Sequence, residues 1–554
     1  MSMKGKLSSF LLYWNTIRFL KFRQLFWQLY RVLSRLRSPK RVVIKRVPIK
    51  SGIHFCEYIP IGQRYLAPDK FEFLNEEHRC RSWNDSSYSK LWLYNLHYFE
   101  DLRSKAENAR LRDQLVLIQR WINENPQGYG NGWESYPTSL RVVNWIIWDI
   151  EYRLFRHDEL KSLSIQTEYL FHHMEFHLLG NHLLKNAKAL VFSGLYFDGE
   201  LADKWLQKGL CIWNKELGEQ ILSDGGHFER SSMYHAIVLE DVLELISISD
   251  GNKRVPLAYQ KQWREIAKKM FEALEVMVHP DGQISFFNDS AMAIAPEFKR
   301  LLEMGHKLGI PFFPKDAVIN DLPKTGYAKL TRGDWTLIAD AAPIGPDFLP
   351  GHAHADSLSF ELSLSGKRLL VNSGTSCYGI SDERQRQRKS SAHNTLTINN
   401  EDSSEVWSGF RVARRANIIQ RGCFLDEKGI CFYGSHDGYC RLKNVGTHRR
   451  SWCINDDGVR IKDHVEGSKK NWIQLFFRFS PEIELFESSD YTYSVKFRSW
   501  KRSIELIVSR KMRWRIEKTT YHPQFGITVP SLLVRGECFS FLPFEIETHL
   551  KQKG

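Results

Sequence analysis

Apolar residues recur every three to four positions from about residue 91 to 310, and every second position in short runs after residue 326. The first pattern predicts amphipathic helices and the second half-buried strands. Helices are expected at 97–107, 110–124, 137–154, 158–178, 183–195, 200–216, 232–249 and 257–278, with Gly, Asn, Asp and Pro breaks between them. About eight successive helices without strands imply helices packed on helices, as a bundle, a solenoid or a closed toroid. No fixed-period internal repeat is present. Pro314 and Pro323 punctuate a linker at 313–326. Strands are then expected at 328–330, 335–340, 358–364, 368–371, 395–398, 429–433, 458–465, 472–479 and 504–508, a spacing that argues for an antiparallel sandwich.

The start of the chain has its own texture. Phe10, Leu11, Trp14, Ile17, Leu20, Phe26, Leu29 and Val32 alternate with Arg and Lys, predicting one or two helices over 8–37. A basic amphipathic helix can lie on an anionic membrane surface. It can equally pack on the following domain, the role favoured here. Residues 38–90 look irregular, with a strand-like patch at 41–44. The expected plan is a multidomain α and β chain: a basic helical segment (1–40), an all-helical domain (41–312), the linker (313–326) and an antiparallel β domain (327–554).

A length of 554 residues allows two or three domains with sizeable cores. The net charge of +14, much of it in the first 50 residues, predicts a field that attracts polyanions. No aromatic-basic RNA-binding pattern or major-groove helix motif appears, so nucleic acid is not the expected partner. With 17 Trp, 21 Tyr and 34 Phe, aromatic clefts suited to sugar rings are expected. Nine cysteines without CxxC pairs argue against a disulfide framework or a cysteine zinc site, and favour a reducing compartment. No apolar run is long enough to span a membrane. Lys4 and Lys6 precede a stretch too short and polar for a secretory signal. The expectation is a cytoplasmic or inner-membrane-associated protein, with a periplasmic one left open.

Four stretches carry candidate chemistry. In 351–356, His352 and His354 stand two apart, just before Leu358, Phe360 and Leu362 alternate with Ser357, Ser359 and Glu361. On a strand, such residues share a side, so two imidazoles and a carboxylate can converge. The plain alternative is two exposed loop histidines. Asn181-His182 lies at a helix break, where an amide and an imidazole can receive an anion, or Asn181 merely caps the helix. Tyr234 and His235 open a helix after a glycine turn, and either can act as general acid or base if its pKa moves towards neutrality. The alternative is a core tyrosine with its hydroxyl satisfied. His393 can join His354 and a carboxylate in a three-ligand metal site, or be a lone satisfied histidine.

Taken in order, Trp92, Tyr94 and His97, then Asn131, Gly132, Trp133 and Tyr136, then Asn181-His182, Tyr234-His235, the pair His352 and His354 with Asp356, and His393-Asn394-Thr395 resemble the heparinase II/III-like family of polysaccharide lyases over most of the chain. The resemblance implies an (α/α) toroid followed by an antiparallel β-sandwich, with an anionic polysaccharide or oligosaccharide in the groove between them. It implies β-elimination at a uronic acid, in which the C5 proton is removed and O4 leaves. Such a site must neutralise the carboxylate and stabilise an enolate-like intermediate. By resemblance, Asn181 and His182 bind that carboxylate, Tyr234 acts as base or as acid towards O4, and His352 shares the acid–base work. A phenol near cations is expected to have a lowered pKa. No cofactor is required, but some members carry a metal on a His-Asp-His set, implying zinc, manganese or calcium. His354 and His393 match its histidines, Asn372 stands in place of the acid, and Asp356 is the available substitute. Substrate contacts are expected from His235, Glu229, Arg230, Trp133, Glu134, Tyr136 and Arg141, and from a basic run of Arg384, Arg386, Arg388, Arg411, Arg414 and Arg415. A uronyl C5-epimerase and a non-catalytic glycan-binding protein of surface-polysaccharide (capsule or O-antigen) assembly are the alternative functions.

Overall fold

The computed structural model describes residues 3–35, 42–44, 48–50, 52–104, 108–314, 317–426, 429–500 and 503–553. Its helices run α1 (Met3–Ile17), α2 (Phe22–Arg35), α3 (Lys90–Tyr98), α4 (Asn108–Glu124), α5 (Ser135–Tyr152), α6 (His157–His172), α7 (Gly180–Tyr196), α8 (Glu200–Gln220), α9 (Ser232–Ser249), α10 (Leu257–Met277), α11 (Phe298–Lys307) and, inside the β half, α12 (Asp382–Arg388). Helices α7 and α9 are buried on nearly all sides, so they form the inside of the helical half. Glycine lets α7 and α8 approach closely: a Cβ on Gly194 would lie 2.6 Å from Leu206, and one on Gly209 2.9 Å from Val191. Trp92, Trp121, Trp145, Trp148, Trp205, Trp213 and Trp263 fill the core, which accounts for much of the aromatic content.

Two expectations for this half need correction. The helix read at 97–107 starts earlier, where the Ser89 side chain caps it, and ends at Tyr98; Phe99 turns left-handed and a 3₁₀ turn follows at Glu100–Arg103, while 105–107 lie outside the described residues. The half is not all helical, because Tyr65–Ala67, Lys70–Phe73 and Glu76–Arg79 form a small antiparallel sheet. These strands are short, and only Phe71 and Phe73 carry the alternation. No strand forms at 42–44; residue 41 and residues 36–37 lie outside the described residues.

Among the described residues, the β half holds three antiparallel sheets of more than two strands. A five-stranded sheet runs in chain order through Ile319–Asp321, Tyr327–Arg332, Trp335–Asp340, Phe360–Leu364 and Lys367–Leu370, so part of the expected linker is a strand. An eight-stranded sheet and a four-stranded sheet follow. Sequence reading missed several of their strands, among them Ile418–Asp426, Val445–Ile454, Arg513–Tyr521 and Val529–Phe541. Phe432, Trp452, Phe477 and Phe360 pack in the core of this half. Cys431 and Cys453 face each other on paired strands and form a disulfide.

The strand expected from 358 begins at Phe360, because Leu358 is left-handed (φ 60°). Both of its faces are buried. Phe360, Leu362 and Leu364 enter the β core, while Glu361 and Ser363 meet the helical half, where His279 lies 2.8 Å from each. Arg368 adds a bond to Asp281 at 2.7 Å. A buried polar seam therefore joins the halves and fixes the loops on either side of a groove.

Candidate active site

The groove is about 960 Å³ and is lined from both halves. At its centre, the start of α7 brings in Asn181 and His182. Gly180 has φ 60°, and a Cβ there would sit 2.3 Å from the Leu349 tip and 2.9 Å from the Glu229 carboxylate, so only glycine fits. The Asn181 amide donates to Glu229 at 3.1 and 3.2 Å. His182 Nδ1 lies 3.1 Å from Glu175. Burial alone would push the His182 imidazole down, but the Glu175 carboxylate outweighs it and holds the ring above its ordinary value.

Tyr234 enters from α9, whose cap Ser231 accepts from the Tyr234 backbone N–H. Its hydroxyl is 3.1 Å from that of Tyr378, and its ring lies 4.0 Å from the His352 ring, centroid to centroid. Burial, then the neighbouring tyrosines, hold the Tyr234 phenol well above its ordinary pKa. This is opposite to the expected lowering, because burial dominates and the hydroxyl meets another phenol, that of Tyr378.

His352 is oriented by Asp289, a residue that sequence reading did not single out. Asp289 Oδ2 accepts from His352 Nδ1 at 2.9 Å and Oδ1 from His354 Nε2 at 2.8 Å. Arg384 clamps the same carboxylate through both terminal nitrogens, one of them at 2.7 Å. Burial opposes ionisation of Asp289, but Arg384 and then the two histidines hold its carboxyl well below the usual range. With Nδ1–H given to Asp289, the neutral ring of His352 carries its lone pair on Nε2, 3.9 Å from Glu229 and beside Tyr234. The available signal was Asn288-Asp289-Ser290 in the turn between α10 and α11.

The loop carrying both histidines is not a strand, yet it still brings the metal candidates together. His354, Asp356 and His393 offer ligand atoms within 4.8 Å of one another. His354 Nδ1 and His393 Nε2 are 3.2 Å apart, close to the ligand separation expected in a tetrahedral zinc site. Burial pushes His354 down to about 4 and His393 well below its ordinary value, so both rings are in the neutral, ligating form. His393 Nδ1 has no hydrogen-bond partner. Asn372 is buried, accepts from Asn394 N–H at 3.2 Å, and has an unpartnered amide nitrogen. Asp356, not position 372, would offer the carboxylate, and the donor set of two imidazoles and one carboxylate fits a divalent ion.

Several expected substrate contacts lie elsewhere. His235 is fully buried, its ring bonded to His227 N–H and Met270 O. Arg230 donates to the carbonyls of Phe228, Lys324 and Thr325. Trp133 and Arg141 belong to the helical core. Glu134 is off the lining but accepts from Lys90 and Tyr94, which are on it. Arg388 spends its donors on the carbonyls of Ala353, Ser408 and Arg411, holding the histidine loop. Arg411 lies over Trp407 and Tyr13, Arg414 pairs with Glu405, Arg415 with Asp347 and Arg386 with Glu383. Tyr136 and Glu229 do line the groove.

A helical toroid followed by an antiparallel sandwich, with a histidine–tyrosine centre in the groove, places the fold beside that of heparinase III. That crystal structure superposes with a TM-score of 0.69 at 18% identity, over 85% of this chain and 79% of its own. The chain belongs to the heparinase II/III-like family: residues 116–320 match the family model "Heparinase II/III N-terminus" and residues 314–537 match "Heparinase II/III-like, C-terminal". Relatives include a heparin-sulfate lyase of Bacteroides stercoris, 25% identical over 382 residues (63% of this chain, 54% of the relative). Another is a heparin-sulfate lyase of Pedobacter heparinus, 27% identical over 330 residues (52% and 48%). The chain thus spans about half the length of the curated relatives it matches.

Proposed function

We propose that the protein is a polysaccharide lyase that cleaves a uronate-containing chain by β-elimination, with His352 as the base at C5 and Tyr234 as the acid at O4. The observation that carries this reading is the Asp289–His352–Tyr234 stack, which presents an imidazole lone pair and a protonated phenol to one spot. The uronate carboxylate lies against the His182 cation and the Asn181 amide. The C5 proton passes to His352 Nε2, the C–H electrons form the C4–C5 double bond, and the C4–O4 bond breaks as O4 takes the Tyr234 proton. His352 then returns its proton to the adjacent phenolate. Asp289 fixes the tautomer and steadies the imidazolium. A divalent ion on His354, Asp356 and His393 would add fixed positive charge that pins the loop carrying His352.

Base and acid stack on one side of the site. An epimerase needs a proton donor on the face opposite its base, so the stack favours the lyase. The groove also speaks to substrate charge. Six acidic residues and six Lys or Arg line it, and four of those cations (Lys90, Arg103, Lys185 and Lys188) are already paired with carboxylates. A densely sulfated chain would find little surplus positive charge, whereas a sparsely charged, unsulfated uronate polymer would lay its sugar faces on Tyr136 and Phe410.

The test is the ultraviolet absorbance of the unsaturated product across a panel of uronate polymers, sulfated and unsulfated. Tyr234→Phe and His352→Ala should each lower kcat by about 10²–10⁴-fold. Solvent deuterium at C5 without chain scission, or no absorbance from any polymer, would sink the reading.

A further inference from the structure

The balanced groove leaves the charge of the chain to be explained. Residues 1–56 hold 13 Lys and Arg and no Asp or Glu, against a net +14 for the whole protein. Within this stretch, α2 is mounted in reverse. Its polar side faces the protein: Gln24 is buried and donates to Phe348 O at 3.1 Å, Arg23 approaches Glu216 at 3.8 Å, Arg31 reaches His177 at 2.6 Å, and Lys21, just before the helix, pairs with Glu219. Trp27 stacks on Phe176, and the Arg23 guanidinium lies over the same ring. The opposite face carries Phe22, Leu25, Phe26, Leu29 and Leu33, all exposed, Phe22 to 82%. Helix α1 extends the same surface with Phe10, Trp14 and Ile17, also exposed, while Thr16 and Tyr13 hold it to Val412 and Trp407.

A helix on a water-facing surface normally turns its apolar stripe inward. Here the stripe is outward, it continues across two helices, and the segment around it bears charge of one sign. That combination fits a partner with an apolar interior and a negative surface. We propose that the outer face of α1 and α2 lies in the headgroup layer of a bilayer containing anionic lipid. A second copy of this chain suits the face poorly, because it would bring two acid-free basic segments together. Among the described residues, no helix is long and apolar enough to cross a membrane, so the contact is peripheral. Phe348, which accepts from Gln24, adjoins the groove residue Leu349, so the bilayer would lie beside the groove mouth. A polysaccharide still anchored to lipid would then reach the site without leaving the surface.

The full chain should sediment with phosphatidylcholine vesicles containing phosphatidylglycerol, and at least about tenfold less with phosphatidylcholine alone. The double variant Phe22→Ser/Leu29→Ser should weaken binding to the anionic vesicles by about tenfold or more. In case that variant misfolds, the unaltered chain offers a second reading: brominated anionic lipid should quench a part of the tryptophan emission that is missing in Trp14→Phe. Equal binding to both vesicle types, no quenching assignable to Trp14, or a dimer in sedimentation velocity that the Phe22→Ser/Leu29→Ser change abolishes would each overturn the proposal.

Discussion

Asp289 concentrates the electrostatics of the site in one side chain. It accepts from two histidines and a bidentate arginine, and of these only His352 reaches the groove. Replacing it with Asn should lower kcat by about 10²–10⁴-fold, because the amide no longer selects the His352 tautomer. The same change strands the buried Arg384 charge and should cost about 3–5 kcal/mol of stability. The double variant Asp289→Asn/Arg384→Met should recover the melting temperature but not the rate, and recovery of both would remove Asp289 from the mechanism. At His182 the sign of the pH effect follows from its neighbours. The raised pKa keeps the cation, and with it carboxylate binding, until pH climbs through that value. In Glu175→Gln, burial acts with less opposition and the ring loses its proton sooner. The basic limb of kcat/KM should therefore move to lower pH, and an unmoved limb would separate His182 from substrate binding. These residues differ in how far sequence reveals them. Asn181, His182, Tyr234 and His352 stand in recognisable surroundings. Asp289 lies 63 and 95 positions from His352 and Arg384, and its local setting, a short polar turn, does not distinguish it from other turns. Arg388 misled for the opposite reason: a basic run looks the same whether its guanidinium groups face a ligand or backbone carbonyls.

Among elements, helices were the most legible. The span 232–249 coincides with α9, since Ser231 caps it and apolar spacing runs its whole length. Strands with charged outer faces were harder. Arg513–Tyr521 alternates, but its arginines, lysine and threonines leave few apolar markers. The register that opposes Cys431 to Cys453 belongs to the sheet rather than to either strand. The histidine loop shows how a motif survives a wrong element: its side chains converge because the His354 N–H donates to Asn288 and Arg388 donates to Ala353 O, not through strand pleat. The entry to α7 is the least forgiving element of the site. Gly180→Ala would place a methyl against Leu349 and Glu229 in a left-handed conformation, and should cost about 2–4 kcal/mol in urea denaturation. It should also lower kcat/KM by displacing Asn181. Unchanged stability would mean that Leu349 moves aside freely.

For the whole molecule, the order helical half then β half was readable from a change of period, but the way they join was not. Glu361 has the spacing of a strand's outer face, yet it and Ser363 are buried against His279. His279→Ala should remove that link, destabilise the protein by about 2–5 kcal/mol, and divide a single calorimetric transition into two. A melting curve superimposable on that of the unaltered chain would show that the seam carries no coupling.

Asp289 belongs to the helical half, whereas the imidazoles it steers and the guanidinium that clamps it belong to the other. Recombination between relatives at the boundary near residue 314 would thus part a base from its orienting partner unless both parents shared the turn around residue 289. The two halves must be inherited as a matched pair, even where each could fold from a foreign source.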